Sequence, residues 1–187
     1  MDHYVNIDVR PSPEFPSHQL MSALYAKLHR ALVMQGSTGI GVSFPGFNPA
    51  PPQLGTRLRL HGELTALSRM LESDWLNGMR DHVVLAHPMR VPAISEHRVV
   101  RRVQVKSSPD RLRRRLMRRH NLDEQEARKC IPDALAHFSH LPFVQLQSTS
   151  TGQVFKLFIA HGAIQANSVL GHFNTYGLSQ DATIPWF

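Results

Sequence analysis

Residues 98–120 read RVVRRVQVKSSPDRLRRRLMRRH. This stretch holds ten of the chain's 21 lysines and arginines and one acid, Asp110, so it carries +9 where the whole chain carries +7. The remainder sums to −2, and the positive charge is therefore local. A basic block of this kind is a footprint for phosphate.

Within the block, Arg111, Arg114, Arg115 and Arg118 fall at i, i+3, i+4 and i+7, which is one face of a helix, with Arg119 beside them. Like charges stacked this way repel by a few tenths of a kcal/mol per pair. A bound polyanion offsets that repulsion; the plainer reading is a solvated helix with an arginine bias. Leu112 and Leu116 form a narrow apolar anchor. Ser108 suits an N-cap, Pro109 a first helical residue and Asp110 the first turn, where the dipole favours an anion. Asn121 and Leu122 break the run, and Asp123 with Glu126 reads as a capping box opening a second helix to about Lys129. The arginine helix is thus expected over 109–120.

The preceding Val99–Lys106 shows partial alternation, expected to place Val103 and Val105 on one face and Arg102, Gln104 and Lys106 on the other. Arg can bond guanine O6 and N7 bidentately and Gln can do the same for adenine, so Arg-x-Gln on a solvent face is a possible two-base reader. Polar alternation on any strand looks alike, so this spacing is weak by itself.

At 187 residues and 42% hydrophobic content, the chain suits one domain or two small ones with a real core. One cysteine, Cys130, excludes an internal disulfide and points to a reducing compartment. No run of 18 apolar residues suggests a membrane span, and the start MDHYVNIDVRP has no signal-peptide pattern. The expectation is a soluble cytoplasmic protein.

The opening residues alternate as a strand, with Val5, Ile7 and Val9 against Asn6, Asp8 and Arg10. A helix is expected from Ser17 to Gln35, striped by Leu20, Leu24, Leu28, Ala31 and Leu32 and closed by Gly36. Strands follow at 39–44 and 54–61, then a helix from Glu63 to about Trp75 and a short strand from His82 to Leu85. The order β-α-β-β-α-β is that of a ferredoxin-like unit. The proline-rich 45–53 is expected to be a surface connection. The fold class is therefore α+β: a ferredoxin-like domain over 1–94 and a second α+β domain over 95–187 bearing the arginine helix. Residues 143–148 and 153–160 read as a hairpin or a strand-loop-strand, in which Ser148 and Ser150 share a face; Trp186 and Phe187 read as core plugs rather than base-stacking groups.

No Cys/His cluster has zinc spacing, no carboxylate cluster suggests two metals, and no Gly-x-x-x-x-Gly-Lys loop is present, so neither cofactor nor metal is expected. Metal-free RNA cleavage needs less: a histidine that takes the ribose 2′-OH proton, with hydroxyls and cations orienting the ribose and stabilising charge. The twelve histidines, His120, His137 and His140 near the basic region among them, cannot be ranked from composition.

The stretch RLRRRLMRRH (111–120), with SFP (43–45), STSTGQVFKLFIAHG (148–162), YGLS (176–179) and PWF (185–187), resembles one family. It is the endoribonuclease that processes CRISPR repeat RNA in type I-F systems. The resemblance runs through most of the chain and is weakest at 46–96 and 163–172. It implies a ferredoxin-like N-terminal domain and a second domain with the arginine helix. It implies a repeat stem-loop as substrate, cut at the 3′ base of the hairpin. It also implies retention of the product RNA among the other subunits of the surveillance complex.

Carried over by position, the catalytic histidine is His29, in the context Lys27-Leu28-His29. The active-site serine is Ser148, with Ser150 the second serine of its motif, and the tyrosine of the Tyr-Gly-Leu-Ser motif is Tyr176. Arg102 and Gln104 correspond to the readers of the lowest stem bases, and Phe155 to the aromatic under the terminal base pair. Arg111, Arg114, Arg115, Arg118, Arg119 and His120 would line the stem. An A-form major groove admits such readers only near a helix end. Read from residues alone, His29 is equally the edge of an apolar stripe, Ser148 a strand-end hydroxyl, Tyr176 a half-buried ring and Phe155 a core residue.

Three functions follow in order: a metal-independent, hairpin-specific endoribonuclease; a non-cleaving hairpin-RNA-binding assembly subunit of the same fold; and a basic ribosomal-type or DNA-binding protein. Absence of a recognisable helix-turn-helix weighs against the third.

Overall fold

The computed structural model describes residues 1–104, 109–132, 140–149 and 151–187, and for 109–111 the backbone alone. Ser108 as a cap, the strand continuation through Val105 and Lys106, the Arg111 side chain, His137 and Ser150 lie outside the described residues.

Alternation at the start of the chain forms β1 (His3–Val9), with Val5, Ile7 and Val9 all buried. Next, α1 (Ser17–Gln35) buries the expected stripe together with Met21 and Tyr25. Its end is set by Gly36, left-handed at φ 59°, whose N–H donates to the carbonyls of Leu32 and Val33. β2 (Gly41–Ser43) is shorter than expected, and the proline-rich stretch carries a small ribbon, β3 (Asn48–Pro49) with β4 (Pro52–Gln53). Then come β5 (Arg57–Gly62), α2 (Leu64–Glu72), a 3-10 turn at Arg80–His82, β6 (Val83–Leu85) and β7 (Met89–Arg90). The second helix stops three residues before Trp75, where the Ser73 hydroxyl donates to the Met70 carbonyl at 2.7 Å. Among the described residues the first sheet runs β2-β5-β1-β6, antiparallel throughout, with β7 also paired to β1.

The second sheet comprises β8 (Glu96–Val103), β9 (Phe143–Gln147), β10 (Val154–Gln165) and β11 (Thr183–Trp186), in the order β11-β8-β10-β9. The 143–148/153–160 hairpin forms as expected, with β10 longer. β11 is a strand that the sequence reading missed, because Pro185 argues against one; it is tolerated at the sheet's edge. Trp186 packs against the core as expected. Phe187 does not: it is 37% exposed and lies over Arg59, whose guanidinium is 4.1 Å from its ring.

The register of β8 corrects the expected strand faces. Arg102 stands opposite Ile159, which is fully buried, and shares its side with Val100, 2% exposed. Val103 is opposite Phe158, on the other side. Opposed residues in an antiparallel pair share a face, so Arg102 points to the packed side and Val103 away from it.

Packing groups the chain as residues 1–103 with 141–187, and 104–140. The expected division at 94/95 separates the two sheets, whereas their buried residues form one continuous hydrophobic cluster. Gly41 shows how closely they approach: a Cβ there would lie 2.6 Å from Ile184 Cγ2 and 2.8 Å from the Phe173 ring. In the smaller unit, α3 (Pro109–His120) packs on α4 (Glu124–Cys130). The capping box is present: the Asp123 carboxylate accepts from the Glu126 N–H at 2.8 Å, and Glu126 accepts from the Asp123 N–H at 3.1 Å. Arg113 is 5% exposed and donates to the Ile131 carbonyl, whereas Arg114, Arg115, Arg118, Arg119 and His120 are exposed.

Candidate active site

Two side chains one turn apart on α1, Tyr25 and His29, meet one tight turn from the other end of the chain. The Asn174 side-chain oxygen accepts from the N–H groups of Tyr176 and Leu178 at 2.8 and 3.3 Å. The Asn174 backbone closes the same turn, donating to Leu178 and accepting from Gly177. Gly177 is left-handed at φ 68°, and a Cβ there would lie 2.6 Å from Val42 Cγ1, so glycine is required on both counts. Its carbonyl in turn accepts from the Val42 N–H of β2 at 2.9 Å.

The turn presents two consecutive carbonyls to α1. Thr175 O lies 2.8 Å from His29 Nδ1, and Tyr176 O accepts from the Tyr25 hydroxyl at 2.6 Å. A carbonyl only accepts, so Nδ1 carries the hydrogen. In the neutral ring this leaves the lone pair on Nε2, the arrangement a general base requires. The Tyr176 ring stacks on His29 with centroids 4.0 Å apart and planes 10° from parallel. Tyr25 is fully buried, and burial holds its phenol well above the ordinary tyrosine range, so it stays a donor.

The Arg102 guanidinium reaches the same place from β8, 5.7 Å from the Tyr176 ring centroid and 6.0 Å from that of Phe155. Its backbone is tied down as well: the Gln180 amide donates to the Arg102 carbonyl at 3.3 Å, beside the bond from Ser179 N–H to Val100 O. Phe155 is half-buried opposite Leu146 and packs against the core. Ser148 opens the β9–β10 turn, where its N–H donates to Gln153, its carbonyl accepts from Gly152, and its Oγ accepts from the Thr151 N–H at 3.3 Å. It lines a cleft with Ala26 and Arg30, the α1 residues flanking His29 on that side.

The structure thus brings His29, Tyr176, Arg102 and Phe155 together around one ring stack, with Ser148 on a cleft alongside the same helix. Gln104 and the α3 arginines belong to the smaller unit. Tyr25, Asn174 and Gln180 were missed by the sequence reading. A hydroxyl inside the apolar stripe of α1 was the available signal, because a buried phenol needs a partner. Two other histidines are held below the ordinary histidine range. Burial, with Arg98 nearby, pushes His161 down to about 4, and burial, with Arg59 nearby, pushes His61 to about 3.

The family profile described as "CRISPR-associated protein (Cas_Csy4)" matches residues 4–187. The chain belongs to the Csy4 family. It is 54% identical to the "CRISPR-associated endonuclease Cas6/Csy4" of Pseudomonas aeruginosa (strain UCBPP-PA14) over 187 residues, covering all of both chains. It is 48% identical to the protein of the same description from Escherichia coli (strain UTI89 / UPEC), again over the full length of both. The family resemblance expected from the motifs is therefore borne out. A solved structure described as "CRISPR endoribonuclease Cse3 bound to 19 nt RNA" matches 99% of this chain at 11% identity and a TM-score of 0.40, too loose a likeness to define the fold. Among the described residues of this Csy4-family chain, no helix is long and apolar enough to cross a membrane.

Proposed function

We propose that this chain is a sequence- and structure-specific endoribonuclease that cuts CRISPR precursor RNA at the 3′ base of the repeat hairpin. It needs no metal and stays on the mature guide RNA with the other subunits of the type I-F surveillance complex, in the cytoplasm. The observation that carries this reading is the bond between His29 Nδ1 and Thr175 O, which leaves Nε2 free to accept a proton.

In the reaction, Nε2 takes the 2′-OH proton, the 2′ oxygen attacks the adjacent phosphorus, and the 5′ oxygen leaves and takes up a proton from solvent, giving a cyclic phosphate and a 5′-OH. Tyr176 holds the imidazole plane by stacking. Ser148 and Ser150 orient the ribose and phosphate. Arg102 and Gln104 read the lowest stem bases, and Phe155 caps the terminal pair. Arg111, Arg114, Arg115, Arg118, Arg119 and His120 contact stem phosphates. Residues 1–94 form a ferredoxin-like βαββαβ unit, supported by the β2-β5-β1-β6 order with helices between β1 and β2 and between β5 and β6. Residues 95–187 form the RNA-recognition half.

The test is incubation with repeat hairpins in EDTA, followed by end mapping. Cleavage should proceed and leave a cyclic phosphate. His29→Ala should slow it by about 10²–10⁴-fold with binding retained, as for loss of a general base. A 2′-deoxy residue at the cut site should bind and stay intact. Binding without any cleavage of the ribose substrate would instead select the non-cleaving assembly subunit.

A further inference from the structure

The cleft that Ser148 lines extends well beyond it, with a volume of about 1140 Å³. That exceeds the roughly 300–1,000 Å³ of small-ligand pockets. It lies between α1, the β3–β4 region and the outer edge of the second sheet. Its walls are fixed, because the N–H of Gln145 on edge strand β9 donates to the Ser22 hydroxyl of α1 at 3.1 Å. Arg30 of α1 and Lys156 of β10 both line it. None of the described lining residues is an aspartate or glutamate, although the chain contains 14. One aromatic ring is on offer: Phe143 is 40% exposed, with Lys156 Nζ 4.4 Å from its centroid.

We propose that this cleft is a second RNA subsite, which holds the single-stranded RNA continuing past the cut. The proposal rests on the endoribonuclease reading and adds a binding site for the leaving strand. Cations without carboxylates, beside an exposed ring, suit a strand whose phosphates need neutralising and whose bases need a stacking surface. The alternation of β10 assigns the strand to this side. Phe155 points to the packed face with Arg102, while Lys156, its neighbour, points to the opposite face. A stem capped on Phe155 abuts the half-buried end of the first face, and Ser148 stands at the end of the hairpin.

The experiment measures affinity for two hairpins with a 2′-deoxy residue at the cut site, one ending a single nucleotide past it and one extended by eight. The extended RNA should bind about tenfold tighter, the size of one base-stacking contribution, with a steeper salt dependence. Lys156→Glu, Arg30→Ala and Phe143→Ala should each reduce that gain while leaving the short hairpin's affinity and the melting temperature unchanged. Equal affinity for the two RNAs in the wild-type protein would overturn the subsite. So would variants that leave the length effect intact. Failure to bind even the short hairpin would reject the endoribonuclease reading itself, and the subsite with it.

Discussion

The Tyr25 hydroxyl donates to the Tyr176 carbonyl at 2.6 Å, one helical turn from where His29 meets the Thr175 carbonyl at 2.8 Å. Two adjacent carbonyls are thereby held by two side chains of the same helix. Tyr25 touches no substrate in the proposed mechanism, but it fixes the distance at which His29 is aligned.

Tyr25→Phe keeps the ring and removes the donor, leaving a buried carbonyl short of a partner at a cost of about 1–3 kcal/mol. The protein should stay folded with a melting temperature lowered by several degrees. Its single-turnover cleavage rate should fall about tenfold with hairpin affinity unchanged. An unchanged rate in the folded variant would limit Tyr25 to packing.

Acid should destabilise the fold through His161 and His61. Both are held below the ordinary histidine value, at about 4 and about 3, so between those values and about 6.5 the unfolded chain binds protons that the folded one does not. Stability contributed this way is fully present above about 6.5 and is lost as pH falls toward the folded values. His161 stacks on Phe47 at 4.0 Å, and among the described residues neither of its ring nitrogens has a hydrogen-bond partner. His161→Phe should therefore keep the stack and lessen the drop in melting temperature between pH 7 and pH 5. An equally steep pH dependence in that variant would remove His161 from the account.

Arg102 and the exposed α3 arginines should respond differently to substitution. Arg118→Ala should weaken binding to many hairpins alike and lower the salt slope by about one ion or less. Arg102→Ala should cost about 1–3 kcal/mol on a matched stem base and relax specificity there. Uniform weakening on all hairpins would class Arg102 with the phosphate contacts.

Phe155 is half-buried against the core, so Phe155→Ala should lower the melting temperature as well as binding. Phe155→Leu is the cleaner variant, since it keeps most of the apolar volume but lacks a π face. It should melt close to wild type and bind the hairpin about ten- to hundredfold more weakly, matching about 1–3 kcal/mol of base stacking. Full affinity in Phe155→Leu would return the residue to a packing role.

Features with local causes were legible in the sequence. The alternation of β1, the stripe and Gly36 stop of α1, the span of α3 and the Asp123/Glu126 box all depend on residues within a few positions of each other, and all four formed where expected. The family was legible too, through the motifs. The phase of β8 was not, because Val99, Val100 and Val103 permit either face, and only pairing with β10 selects Val100 and Arg102 for the packed side. Nor was β11, whose Pro185 argues against a strand until a sheet edge is available to receive it. Nothing local joins Tyr25 and His29 to carbonyls 151 and 146 residues away. Periodicity and capping act over one or two turns of chain, whereas the orientation of a catalytic ring is decided by which distant backbone atoms the packed sheets bring against it.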